Sequence, residues 1–288
     1  MRNPRRLTHY IRRTMGRSRS VPRRETQVQS WFSQGFTAMR EVDYHTALQC
    51  FENVVKAWPH SHAAWYSWGM ALYHVGRDEA ALQAFIQATQ RQPRSHLAWY
   101  GRGVALAELG RYDEAILAFD QATTLRPESY LAWQAKGMMF IEQQRWQEAL
   151  SMLFMALRRH ARAAQTWYGV GVAYLQSGDH RKAHTAFEQS VRLQADFELA
   201  WYGKGVALLC AERPREALEA LDAALTINPQ CTLAWLRKAE TLEGVGQLNA
   251  ARDAYEEVVK QPDVSGAVRT QAQGHMQRLN RQLLRVNA

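Results

Sequence analysis

Apolar residues along this chain fall at three-and-four spacing in blocks of roughly 14 residues, the pattern of helices that each bury one face. Two kinds of break alternate between the blocks. Gly76, Gly110, Gly178 and Gly246, or a polar break elsewhere, divide the first block of a pair from the second. Pro59, Pro93, Pro127 and Pro229 end the second block, because proline cannot continue the hydrogen-bond ladder of a helix. The pattern predicts helical hairpins one after another.

Tryptophan sets their register. Trp31, Trp65, Trp99, Trp133, Trp167, Trp201 and Trp235 stand 34 residues apart. Four places after each is a small residue: Gly35, Gly69, Gly103, Gly137, Gly171, Gly205 and Ala239. Sixteen places after is alanine, from Ala47 to Ala251, and twenty places after is a bulky apolar residue: Phe51, Phe85, Phe119, Leu153, Phe187, Leu221 and Tyr255. Small residues let two helices approach while the large ones fill the remaining space. One hairpin cannot bury its apolar face alone, so neighbours must stack and the open end needs a cap. Val268, Ala272, Met276, Leu279 and Leu283 give residues 266–288 the apolar stripe of such a cap.

These residues resemble the W-x2-L-G-x2-Y, A-x3-F and terminal-proline pattern of the tetratricopeptide repeat family. The resemblance spans 28–265 and implies an all-α fold, an α-solenoid of seven helix-turn-helix repeats wound as a right-handed superhelix, with a C-terminal capping helix. The expected units start near 28, 62, 96, 130, 164, 198 and 232, after a basic arm at 1–27. Ala161 and Ala195 replace the stop proline, as does Asp263, which predicts looser joints around hairpins four and five.

In that family the first helices line a concave groove, and ligands meet residues one, five, eight and nine places after the tryptophan. Carried onto this chain, the first place gives Tyr66, Tyr100, Tyr168 and Tyr202. The fifth gives Phe36, Met70, Val104, Met138, Val172 and Val206, and the eighth includes Tyr73. Glu108 and Glu142 stand at the ninth, on the rim, placed to orient a basic residue of a ligand or simply to be solvated. The lysine and asparagine positions with which some members grip a carboxylate are apolar here, so the expected ligand is an apolar helix or extended segment of a client protein. Tyrosine after tryptophan also packs in idealised repeats, which leaves two readings of the aromatic series open.

On the opposite side, Phe154 and Met155 occupy places filled elsewhere by polar pairs such as Asp120 with Gln121 or Glu188 with Gln189. With Leu150 and Met152 they would form an exposed convex patch, unless a local distortion tucks them inward.

Charge separates the arm from the rest. The chain of 288 residues has 36 basic and 27 acidic residues, yet Arg2, Arg5, Arg6, Arg12, Arg13, Arg17, Arg19, Arg23 and Arg24 account for the whole excess. Leu7, Tyr10, Ile11 and Met15 share one helical face among these arginines. The arm fits a tether to an anionic membrane, a targeting segment, a phosphate-binding tail on RNA, or a tail without a partner. An RNA-associated protein using the arm and the run Arg158–Arg162 is the alternative to a protein scaffold. A cytoplasmic place is expected, peripheral to a membrane if the arm tethers.

Enzymatic motifs are missing: there is no glycine-rich phosphate loop, H-E-x-x-H helix or G-x-S-x-G elbow, and no catalytic residue is assigned. The three cysteines, Cys50, Cys210 and Cys231, lack C-x-x-C spacing, and the pairs His60/His62 and His180/His184 lack a third ligand. No cofactor, metal or small-molecule substrate is expected.

Overall fold

A computed structural model describes residues 23–262 and 264–286, and all of its regular elements are helices. The chain forms two compact units, Met1–Gly110 and Arg111–Ala288. The first holds α1 (Arg23–Arg40), α2 (Tyr44–Ala57), α3 (His62–His74), α4 (Asp78–Arg91) and α5 (His96–Glu108). The second holds α6 (Tyr112–Leu125), α7 (Tyr130–Glu142), α8 (Trp146–Arg159), α9 (Ala164–Gln176), α10 (His180–Leu193), α11 (Glu198–Cys210), α12 (Pro214–Ile227), α13 (Thr232–Gly244), α14 (Leu248–Lys260) and the capping helix α15 (Gly266–Val286). Helix α1 begins five residues ahead of the expected start at 28, because no glycine or proline interrupts the sequence between Arg23 and Gly35.

The core of each unit is built from the 34-residue register. Phe51, Phe85, Leu153, Phe187, Leu221 and Tyr255 are fully buried, each on a second helix. The glycines opposite them are a steric requirement. A Cβ on Gly69 would stand 2.9 Å from the Phe85 ring, and one on Gly101, in the next first helix, would stand 2.5 Å from the same ring. Phe85 therefore fills a slot whose two walls are bare backbone.

The entries of hairpins two to seven share one hydrogen bond. The indole N–H donates to the carbonyl six residues earlier, from Trp65 to Pro59 at 2.7 Å and from Trp99 to Pro93 at 2.8 Å. Trp133 reaches Pro127 at 2.8 Å and Trp235 reaches Pro229 at 2.9 Å. Trp167 and Trp201 make the same bond to Ala161 and Ala195, both at 2.9 Å. The looser joints expected around hairpins four and five are thus corrected: the bond needs a carbonyl, which alanine supplies as well as proline does.

The turn inside each hairpin demands a left-handed residue. Gly76, Gly110, Gly178 and Gly246 take φ of 71°, 70°, 85° and 80°. The equivalent Val42, Gln144 and Glu212 are forced to 64°, 58° and 57°. Valine is the worst placed, since its branched Cβ crowds the carbonyl in this region, and its side chain stays 64% exposed with nothing to offset the strain. Val42→Gly is accordingly predicted to raise stability to urea by about 1 kcal/mol. Gly76→Val should lower it by a similar amount, and equal midpoints for these variants and the parent would contradict the account.

Candidate protein-binding groove

Within each unit, first helices of successive hairpins approach one another, α3 with α5 and α7 with α9, α11 and α13 in turn. Successive second helices are spaced more widely. First helices therefore lie on the inside of each unit's curve, and their free face is concave.

In the first unit, Phe36, Tyr66, Met70, Tyr73, Tyr100 and Val104 are all half-buried on this side. Phe36 stacks with Phe32 at 5.9 Å and meets the edge of Phe51 at 5.1 Å. The Tyr66 ring lies 5.9 Å from Phe85. Tyr73 donates its hydroxyl proton to Glu108 at 3.1 Å, crossing from the end of one first helix to the end of the next. In the second unit, Met138, Tyr168, Val172, Tyr202 and Val206 are likewise half-buried, and Glu142 is exposed. Met138 and Val172 pack against the buried cluster of Leu150, Leu153 and Val170. Tyr168 sits 5.8 Å from Phe187 and 5.1 Å from Phe197.

The tyrosines directly after tryptophan thus pack on the core while staying half-buried. One side of Tyr66 and of Tyr168 supports the second helix of its own hairpin, and the rest of the ring remains accessible. Each unit offers a half-buried apolar surface whose completion by a partner would remove further apolar area from water, at about 25 cal/mol per Å².

The opposite side does not carry the expected four-residue patch. Leu150 is buried and Met152 packs on the core, while Phe154 is 38% exposed on a regular helix. The half-buried Met155 has its sulfur 4.0 Å from both Arg158 and Arg159. The register explains Phe154. Asp120 pairs with Lys136, Glu188 with Lys204 at 2.5 Å and Asp222 with Lys238 at 2.6 Å, each linking a second helix to the next first helix. At this joint the corresponding residues are Phe154 and Val170, the latter only 1% exposed, so two apolar residues stand at the places that hold an ion pair in those three joints. That substitution was legible in the 34-residue spacing.

Of the basic run, Arg159 is structurally occupied: its guanidinium donates to the Pro127 carbonyl and lies 5.0 Å from the Trp133 ring. Arg91 repeats the arrangement on Pro59 and Trp65, at 2.5 and 4.9 Å. Arg5, Arg6, Arg12, Arg13, Arg17 and Arg19 lie outside the described residues, as do the side chains of Arg23 and Arg24 at the start of α1. One feature had no sequence signal beyond an unusual glutamate at the eighth place: Glu243 accepts from Tyr255 at 3.0 Å and from Arg278 of the cap at 2.5 Å, with His275 Nδ1 3.0 Å away. The cap is thereby pinned to α13. Among the described residues, no cluster of three potential metal ligands and no helix long and apolar enough to cross a membrane occurs.

Tetratricopeptide repeat family models match residues 34–85, 68–130, 135–180, 171–230 and 208–270. No curated protein sequence matches the chain. Among solved structures, a tetratricopeptide repeat protein from Parabacteroides merdae aligns at TM-score 0.67 and 12% identity, over 87% of this chain and 99% of that one. A chain of the APC/C hetero-tetramer Cut9–Hcn1 aligns at TM-score 0.70 and 17% identity, over 85% of this chain and 48% of its own length. YrrB, described as a TPR protein with an unusual peptide-binding site, aligns at 0.52 and 22%, over 64% of this chain and 95% of that one. At these identities the likeness establishes the fold.

The concave face carries a titration marker. Burial, together with the neighbouring Tyr100, pushes the Tyr66 hydroxyl from 10.0 up to about 12, and burial beside Glu108 does the same to Tyr73. The folded protein therefore favours the neutral phenols. Their contribution to stability is complete below pH 10 and is lost as pH rises from 10.0 towards about 12. Tyrosinate absorbance should show a class of late-titrating rings that shrinks in the Tyr66→Phe and Tyr73→Phe variants. Unchanged titration in both would contradict the described burial.

Proposed function

We infer that this chain, which belongs to the tetratricopeptide repeat family of protein-interaction scaffolds, holds an apolar helix or extended segment of a client protein against its first-helix face and catalyses no reaction itself. The observation that carries the reading is the fifth place after each tryptophan. Phe36, Met70, Val104, Met138, Val172 and Val206 are apolar there in six of the seven repeats, and all six are half-buried. Only the seventh, Glu240, is charged, and it pairs with Arg237 at 3.0 Å.

Half-buried apolar rows on the inside of a curve fit a helix or strand whose own side chains complete them. Large aromatic rings on such a surface give area at low cost in side-chain entropy. The rim polar groups set register more than strength: Glu108 is engaged by Tyr73, and exposed pairs such as one with Glu142 contribute about 0–1 kcal/mol. The role is that of an adaptor or assembly factor whose selectivity comes from the spacing of apolar anchors.

The test is capture from native extract by the intact chain and by a triple variant, Val104→Asn, Val172→Asn, Val206→Asn. These positions are half-buried, so helical circular dichroism should be retained. Loss of one captured protein by at least about tenfold is expected, since each polar replacement removes roughly 1 kcal/mol of apolar contact. Undiminished capture by the folded variant would overturn the reading.

A further inference from the structure

We propose that residues 5–15 of the N-terminal arm are an internal occupant of the first unit's concave face, with Leu7, Tyr10, Ile11 and Met15 on its apolar floor and the flanking arginines at its acidic edge. The proposal rests on the reading of that face as a binding surface and adds a regulator to it.

The charge of the edge is the first argument. Where first helices of this unit end and second helices begin, Glu41, Asp43, Asp78, Glu79 and Glu108 stand against Arg40 and Arg77. Asp78, Glu79 and Glu108 take part in none of the ion pairs among the described residues. They also sense one another: burial, then Glu108 and Glu79, raise the Asp78 carboxyl above its ordinary range. An edge whose carboxylates repel each other favours a cationic partner. The floor beside it is Met70, Val104 and the open sides of Tyr66, Tyr73 and Tyr100, so the partner it suits is apolar on one face and basic at its end.

The arm is such a segment, and it is already attached. Its seven arginines before residue 23 meet no acid within the arm, and its four large apolar residues share one helical face. The attachment point fits as well. Helix α1 starts at Arg23 on the edge remote from the acids and, with 18 residues, rises about 27 Å towards them. Residues 16–22, Gly-Arg-Ser-Arg-Ser-Val-Pro, can span roughly 23 Å when extended, enough to turn back onto the face. The segment from Met15 to Arg5 would then run up the groove and bring Arg5 and Arg6 to the acidic edge. Tethering supplies an effective concentration of order mM, so modest contacts suffice for occupancy. A client must displace the arm, and free client binding would be weakened by the fraction of chains in the closed form.

The experiment places a photo-activatable cross-linking residue at position 70 in the full-length chain and identifies its adducts by mass spectrometry. The expected product is an intrachain link to a peptide within residues 5–15. Its yield should fall about fivefold in Asp78→Asn with Glu108→Gln, and by a similar factor at high salt. Leu7→Asp with Ile11→Asp should abolish it and raise client capture severalfold. Absence of the link in the parent chain overturns the proposal, and so does a link that forms only between isotopically light and heavy copies. Loss of the link on adding phosphatidylserine vesicles or RNA, with client capture unchanged, also overturns it, since the arm would then serve that surface. The underlying reading fails separately, through undiminished capture by the asparagine triple variant.

Discussion

The indole N–H that reaches back six residues to a carbonyl, from Trp65 through Trp235, is the bond on which the arrangement depends. It ties the start of each first helix to the turn it has just left, and so fixes the rotation of that helix about its axis. Rotation decides which residues face inward. With the tryptophan anchored, the residue four places on meets the bulky apolar side chain of the second helix, and the residue five places on faces the concave side. A small residue at the former follows from that constraint, which also turns the latter, apolar in six of the seven repeats, toward the concave side. The second helix contributes its own lock, because Arg91 and Arg159 donate to the same carbonyls while lying over the indole rings.

At three of the joints between hairpins the lock is electrostatic. Lysines 136, 204 and 238 cross to acids on the preceding second helix, and Lys204 and Lys238 also lie 4.9 and 5.0 Å from tryptophan ring centres. A partly exposed pair of this kind adds little stability but penalises a shifted register. Where Phe154 and Val170 take the corresponding places, that polar specificity is absent.

How much of this was legible in the sequence follows from period and chemistry. Seven tryptophans 34 residues apart and the alternating glycine and proline breaks were sufficient for the helix pairs and their order. They were sufficient because hairpin packing is a nearest-neighbour problem in which each unit sees the same surroundings. The stop prolines misled at Ala161 and Ala195, where local backbone preference suggested a difference and a tertiary hydrogen bond removed it. Val42 was illegible for the opposite reason: a turn that wants φ near +64° gives no warning when valine occupies it. For the groove, residue type was visible but degree of burial was not. The packing of Tyr66 on Phe85 and of Tyr168 on Phe187 is a tertiary contact that the 34-residue spacing does not specify.

The account's central claim is that partner contact is made by the first-helix face, and proximity measures it most directly. A photo-activatable residue introduced at Val172, on that face, is compared in native extract with one at Leu117, which is 65% exposed on a second helix. The account predicts a discrete protein adduct from position 172 and none above background from position 117. The same adduct from 117 alone, or with equal yield from both, would contradict it.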